Sequence, residues 1–329
     1  MRARLIKRIT LPDRPTGVAQ VSGGGWWMAY GNGLGEAVVL SADLEERHRF
    51  ALPLRHDGGD VDDYAVGAGG WLLALSRNDG IEVVGTGPLS GVRWRQRTGY
   101  WSNYPAGSGA CAFSPDGSVL WAVLRPEDPD GEDPDLFDGD ECHAYDTVTG
   151  QLLARTSLGI DLTHARLLPH PDGRQVGLVV GQQHGWTSGG WVRREGRRLA
   201  MRPIGSSTHH QSLESVAPDG SHYLARSLTN LSSHAYQPDG LLSEHMIAEV
   251  LPEGDLGRYT FVHRNASSVL ATLHDDVTTP RTWLLDMPSL ELDGPVVYPE
   301  PLPPHSVSSA GDGTWITVHD DTVSRWCPA

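Results

Sequence analysis

The chain has 329 residues and a formal net charge of −15, a balance unlike the basic footprint of proteins that bind nucleic acid or anionic membrane surfaces. Its 39 Gly and 23 Pro favour many short strands and turns over long helices, and all-β chains of this length often form one unit. Three cysteines (Cys111, Cys142, Cys327) without a CxxC pair argue against a disulfide framework, and a single lysine, Lys7, all but removes Schiff-base and Ser-Lys chemistry. The strong preference for Arg over Lys is that of GC-rich bacterial coding sequence.

The N-terminal stretch "MRARLIKRITLPDR" is basic but lacks the apolar core of a signal peptide. No run of about 18 apolar residues is long enough to span a membrane, so a cytoplasmic protein is expected. Within that stretch "RLIKRIT" is a strand with no unit of its own. A repeat then begins. "SGGGWWMAY" carries Gly25, "GAGGWLLAL" Gly70, "FSPDGSVLWAVL" Gly117, "HPDGRQVGLVV" Gly173, "APDGSHYLAR" Gly220, "RNASSVLATL" Ser267 and "AGDGTWITV" Gly313. The spacings are 45, 47, 56, 47, 47 and 46 residues, a period that marks a solenoid or a propeller.

Each unit holds four short alternating runs. The third reads "ACAF", "SVLWAVL", "ECHAY" and "QLLART", and the fourth "HARLL", "RQVGLVV", "GGWV" and "RRLAMR". Such runs, joined by turn residues, predict antiparallel sheet, and four strands per unit predict a propeller blade. The last unit supplies "SVSS", "TWITV" and "TVSRW" and lacks a fourth strand. The expectation is an all-β, seven-bladed β-propeller of four-stranded antiparallel blades, with the N-terminal strand completing the last blade and removing exposed sheet edges. The blades fall at about 17–53, 60–99, 109–158, 164–205, 213–251, 258–298 and 305–329 plus 1–11, in one domain over residues 1–329. The tryptophans of "GGGWW" and "GGW" are expected on strands, packed between blades. "GNGLG" at Gly31 to Gly35 is a hairpin loop in this arrangement.

"FSPDGSVLWAVL" followed by "HAYDTVTGQLLART" resembles a blade of the WD40-like propellers. Tyr145-Asp146 and the end of "TWLLD" stand near the family's Trp-Asp position, while its Gly-His dipeptide is missing. The resemblance implies the fold and a partner-binding role, and carries over no functional residue.

In such a ring the loops between blades, and those joining second to third strands, share one face. His164, His209, His210 and His305 fall at the start of first strands. His184, His274 and His319 fall at the end of second strands. The triplet His-Asp-Asp occurs at His274-Asp275-Asp276 and again at His319-Asp320-Asp321, equivalent places in neighbouring blades. Imidazole with carboxylate suits a divalent metal or proton transfer. Asp-Asp after a strand is also ordinary turn chemistry. "RPEDPDGEDPDLFDGD", the acidic insert at 125–140, is a solvated loop, with partner docking or weak calcium binding as the alternatives. Tyr100, Trp101 and Tyr104 place aromatics on the link between blades two and three, as contact surface or as a plug.

No GxSxG elbow, P-loop, complete GxGxxG or HExxH is present. Two functions follow. The first is a monomeric propeller that binds a protein or small-molecule ligand on its loop-rich face and central channel, with no cofactor, no nucleic acid and no membrane. Tyr100, Trp101, Tyr104, His164, His184 and His209 would be its contact residues. The second is a propeller enzyme, a metal-assisted lyase or hydrolase similar in fold to the streptogramin lyases. It would use His274, His319, His210 and His305 as acid-base groups, and Asp275 and Asp320 to support a divalent metal ion.

Overall fold

The repeated turn is an aspartate device. Asp116 Oδ1 accepts from the Ser118 backbone N–H (3.1 Å), Asp172 Oδ1 from Arg174 (2.9 Å), Asp219 Oδ1 from Ser221 (3.0 Å) and Asp312 Oδ1 from Thr314 (2.9 Å). The intervening Gly117, Gly173, Gly220 and Gly313 all have left-handed φ, between 70° and 89°. Asn265 does the same for Ser267 where glycine is replaced. An Asx turn followed by a left-handed residue reverses the chain at little cost, and the apolar runs on either side then pair.

In the computed structural model the described residues are 1–21, 25–30, 35–51, 61–77, 80–86, 90–99, 109–126, 139–160, 162, 164–181, 187–204, 211–227, 229–236, 240–252, 259–273, 281–302 and 306–329. After β1 (Ala3–Thr10) the first unit comprises β2 (Pro15–Gln20), β3 (Trp26–Tyr30), β4 (Glu36–Leu40) and β5 (Glu46–Ala51). The second comprises β6 (Val61–Val66), β7 (Leu72–Arg77), β8 (Gly80–Gly85) and β9 (Gly91–Arg97). The third comprises β10 (Ala110–Phe113), β11 (Val119–Leu124), β12 (Glu141–Asp146) and β13 (Leu152–Ser157), and the fourth β14 (His164–Pro169), β15 (Gln175–Gly181), β16 (Thr187–Glu195) and β17 (Arg198–Pro203). The fifth comprises β18 (Ser212–Val216), β19 (His222–Arg226), β20 (Asn230–Ala235) and β21 (Gly240–Met246). The sixth comprises β22 (Tyr259–Asn265), β23 (Ser268–Leu273), β24 (Arg281–Asp286) and β25 (Leu292–Pro295). The chain ends with β26 (Ser306–Ser309), β27 (Trp315–His319) and β28 (Thr322–Pro328).

Within each unit the strands pair antiparallel in chain order. The count of separate blades departs from the expected seven. Strand pairing gives five separate four-stranded blades and one eight-stranded sheet. The outer strands β13 and β17 share a parallel bridge at Arg155 and Arg198, which fuses units three and four into one sheet. At the seam β1 pairs antiparallel with β28, from Ala3 opposite Pro328 to Thr10 opposite Thr322. The leftover N-terminal strand thus takes the fourth place beside β26, β27 and β28.

First strands lie beside first strands: β2 near β6, β6 near β10, β10 near β14, β18 near β22, and β22 near β26. The core is correspondingly divided among consecutive units. Trp27 packs with Leu73, Ile81 with Phe113, Trp121 with Val176, and Trp191 with Tyr223. Leu224 packs with Val269, Leu270 with Trp315, and Trp26 with Ile316. Adjacent Trp26 and Trp27 therefore serve opposite faces of one strand, as period-2 alternation requires. Trp71 follows the expected pattern in part, packing against a neighbouring unit but not from a strand. It precedes β7 and is 39 % exposed, stacked on His48 of the preceding unit at 4.2 Å and 3°. The acidic insert also needs correction at its end. Asp140 is fully buried, accepts from the Leu162 N–H at 2.7 Å and lies 3.9 Å from Arg125. The span 127–138 and most of "GNGLG" lie outside the described residues.

Turns also bind neighbouring units together. His170 Nε2 lies 3.2 Å from the Gly220 carbonyl oxygen, and a Cβ at Gly220 would sit 2.7 Å from His170 Cε1. Gly220→Ala is expected to cost about 1–2 kcal/mol from its left-handed φ alone, with displacement of His170 adding to that. Denaturant titration checks it. A midpoint equal to the parent's would show that this turn is not held as described.

Candidate binding cleft on the loop-rich face

Antiparallel order puts the second-to-third-strand turns and the unit-to-unit connectors at one end of the ring. At that end residues 296–302 leave β25 and run toward β26. They divide two hollows. The larger, about 550 Å³, is lined by Arg281, Thr282 and Trp283 of β24, by Pro252, and by Pro295 to Leu302 apart from Val297. The smaller, about 180 Å³, is lined by Arg8, Thr317, His319, Thr322 and Ser324 on one side and Glu300 to Leu302 on the other. The wall of the larger hollow is mostly Trp, Tyr, Pro, Val and Leu, the make-up of a pocket that takes an apolar group, whereas the smaller is lined mainly by polar side chains.

The aromatic floor of the larger hollow is held from behind. The Trp315 indole N–H donates to the Tyr298 hydroxyl at 3.2 Å, and the Trp326 ring meets Tyr298 edge-on at 4.9 Å. Trp326 Nε1 donates to Thr317 Oγ1 at 2.9 Å. Burial raises the Tyr298 pKa above the usual phenol value, against the lowering effect of its hydrogen bonds to Trp315 and Thr282. The phenol is therefore a fixed, neutral surface. At the lip Arg8 pairs with Glu300 and donates from Nε to Ser324 Oγ at 3.0 Å. Both ends of that pair are well exposed, so it orients more than it stabilises.

Of the residues singled out in the sequence, His319 is on the wall of the smaller hollow. Its Nε2 is 3.2 Å from Asp320 Oδ2, and Asp320 is 3.9 Å from Arg14. Asp320 and Asp321 form the two-residue turn between β27 and β28, with Asp320 at φ 46°. The second His-Asp-Asp is thus the end of a strand and its hairpin. His164 opens β14 as an exposed side chain lying against Gly181, where a Cβ would be 1.9 Å from its ring. It is not brought to His319. His184, His209, His210, His274, Asp275, His305, Tyr100, Trp101 and Tyr104 lie outside the described residues. Leu273 and Arg281, the described residues that flank 274–280, are cross-strand partners. Among the described residues no three His, Cys, Asp or Glu side chains converge as a cation would need. Nothing in the repeat pattern singles out Tyr298, Arg281 or Glu300 as cleft residues. The available signal was "VVYPEPLPP", a proline-rich connector carrying an aromatic.

The chain superposes on solved propellers over nearly its whole length. One is the β-propeller domain of Cps50 (Swd1) from Myceliophteria thermophila, with TM-score 0.60, 10 % identity, and 99 % of this chain and 100 % of that one covered. The fold is that of a β-propeller. The WD40 domain of SCAP from fission yeast is similar at TM-score 0.59 and 11 % identity, with 96 % and 81 % covered. No protein-family profile matches the sequence, and no curated protein matches it. The same aspartate turn chemistry recurs after a third strand. Asp146, ending the third strand of unit three, accepts from the backbone N–H groups of Val148 and Thr149 at 3.1 and 2.8 Å. Among the described residues no helix is long and apolar enough to cross a membrane.

Proposed function

We propose that this chain is a non-catalytic, monomeric propeller of one domain that binds a protein or small-molecule ligand at the cleft beside residues 296–302. The observation that carries this reading is a pre-formed hollow floored by Tyr298 and Trp283, with Tyr298 held by Trp315 and Trp326 and the Arg8–Glu300 pair at its lip. WD40-like neighbours support a scaffold role at the level of fold. In this reading the eight-stranded sheet is two blades joined at the rim, so that seven units close the ring at the boundaries set by the repeat. What supports the count is the set of hydrophobic clusters, each shared by two consecutive units. A cytoplasmic setting and the absence of a cofactor belong to the same proposal.

The test is photo-crosslinking in extract of the producing cells. Benzoylphenylalanine in place of the exposed Pro299 at the cleft is expected to give a defined product that Pro301→Asp abolishes. The same group in place of Leu241, an exposed position on β21, is expected to give none. Equal products from both positions, or a product indifferent to Pro301→Asp, would overturn the assignment.

A further inference from the structure

The hairpin of β16 and β17 carries a charge opposite to that of the molecule. Arg193, Arg194, Arg197 and Arg198 stand exposed on it, with Glu195 between. Strand pairing gathers two more cations beside them. The Arg194 N–H donates to the Arg174 carbonyl at 3.1 Å, and Arg155 on β13 is in register with Arg198. Six arginines therefore occupy one corner of a chain whose net charge is −15. Arg193 pairs with Ala200 and Arg198 with Glu195, so Arg193 and Arg198 share one face of the hairpin, while Arg194, opposite Leu199, projects from the other; all stand at its exposed tip. Arg155 meets Glu141 at 3.5 Å. Among the described residues no carboxylate lies within ion-pair distance of Arg174, Arg193, Arg194, Arg197 or Arg198. The equivalent hairpin of unit one is acidic, with Asp43, Glu45 and Glu46.

This corner lies at the end opposite the cleft, where first-to-second and third-to-fourth strand hairpins emerge. Exposed apolar side chains border it: Met201 on β17 (53 %), Leu152 on β13 (40 %) and Val148 in the turn before it (80 %). Five arginines at one tip outnumber the carboxylates there, Glu195 and Asp172, and an incoming anion relieves the repulsion among them. We infer that the β16–β17 corner docks an acidic polypeptide segment, rich in Asp and Glu, on the face that carries Arg193, Arg198 and Arg155, with an apolar side chain that meets Leu152 of β13. A long polyanion fits less well. Its charges extend beyond the patch onto an acidic surface, whereas a short segment senses mainly charges within a Debye length of about 8–10 Å.

Fluorescence anisotropy of a fluorescein-labelled Asp/Glu-rich peptide containing leucines tests this on the full chain. The parent is expected to bind it, with affinity falling as salt rises. Arg193→Glu/Arg198→Glu is expected to weaken binding about 10-fold. Arg47→Glu/Arg93→Glu makes the same change of net charge at exposed arginines on other blades, and is expected to leave affinity near the parent's. Circular dichroism confirms that both variants are folded. Absence of binding by the parent, or equal weakening by both variants, overturns the inference. So does preferential binding of a DNA duplex or of phosphatidylserine vesicles that the first variant alone loses, because the corner would then serve a different polyanion.

Discussion

A chain lacking residues 1–11 is expected to lose the cooperative melt of the parent and to aggregate. β1 is the whole fourth strand of its blade, in register with β28 from Ala3 to Thr10. Its removal exposes the backbone edge of β28 and opens the seam between the last and first units. That seam is tied by more than one sheet. The Leu11 N–H donates to the Asp321 carbonyl at 2.7 Å, and Leu11 packs with Trp26 and Ile316. Arg325 reaches Asp43 in the first unit at 2.5 Å. Without β1 the full length of β28 stands as an unpaired edge at an open seam, and such an edge templates association. Trp326→Ala is the graded counterpart. The ring is fully buried against Tyr298 and its loss is expected to cost about 3–5 kcal/mol. Thermal melts followed by circular dichroism decide both. A truncated chain that melts within a few degrees of the parent would falsify the closure by β1.

Stability is expected to fall as pH drops from about 6.5 toward 4.5, before the carboxylates take part. The cause is the histidine pair between units five and six. The His222 and His263 rings lie 5.3 Å apart, with Nδ1 of each 2.8 Å from a serine hydroxyl, Ser221 and Ser215 respectively. Nε2 of each is buried without a hydrogen-bond partner. Burial first, and then the neighbouring His222, push His263 down to about 3, against the raising effect of Asp219; burial also lowers His222. The unfolded chain therefore binds protons near pH 6.5 that the folded chain refuses. Stability is full above that value, declines below it, and the decline due to His263 ends near pH 3. Asp219, Asp116 and Asp312, whose folded pKa values are lowered, add their own loss only below about pH 4. His263→Phe leaves the Ser215 hydroxyl without its partner and so lowers stability at neutral pH. It should nonetheless flatten the slope between pH 6 and 4.5 by about 1.4 kcal/mol per pH unit. Urea midpoints across that range measure it. An unchanged slope would show that His263 takes up its proton in the folded chain.

The amino-acid sequence by itself determined the four-stranded units and their turns, because these are local events. Asp116, Asp172, Asp219 and Asp312 each close a turn with a residue two places on, and the glycine between supplies the left-handed φ. A pattern of that range is visible in a window of ten residues. The surplus strand at the N-terminus was legible too, since a unit short of one strand must find it elsewhere. Tertiary structure alone decided what meets what between units. The bridge from Arg155 to Arg198 fused two expected blades into one sheet, across 43 residues of chain. Trp71 stacked on His48 at the surface instead of entering the core. The cleft is made by β1, β24, β27 and a proline-rich connector, and nothing local to any of them shows that the Tyr298 floor rests on Trp315 and Trp326. Net charge concealed the basic corner in the same way. The total of −15 is a property of composition, whereas the field a partner meets depends on which side chains the strand pairing sets side by side.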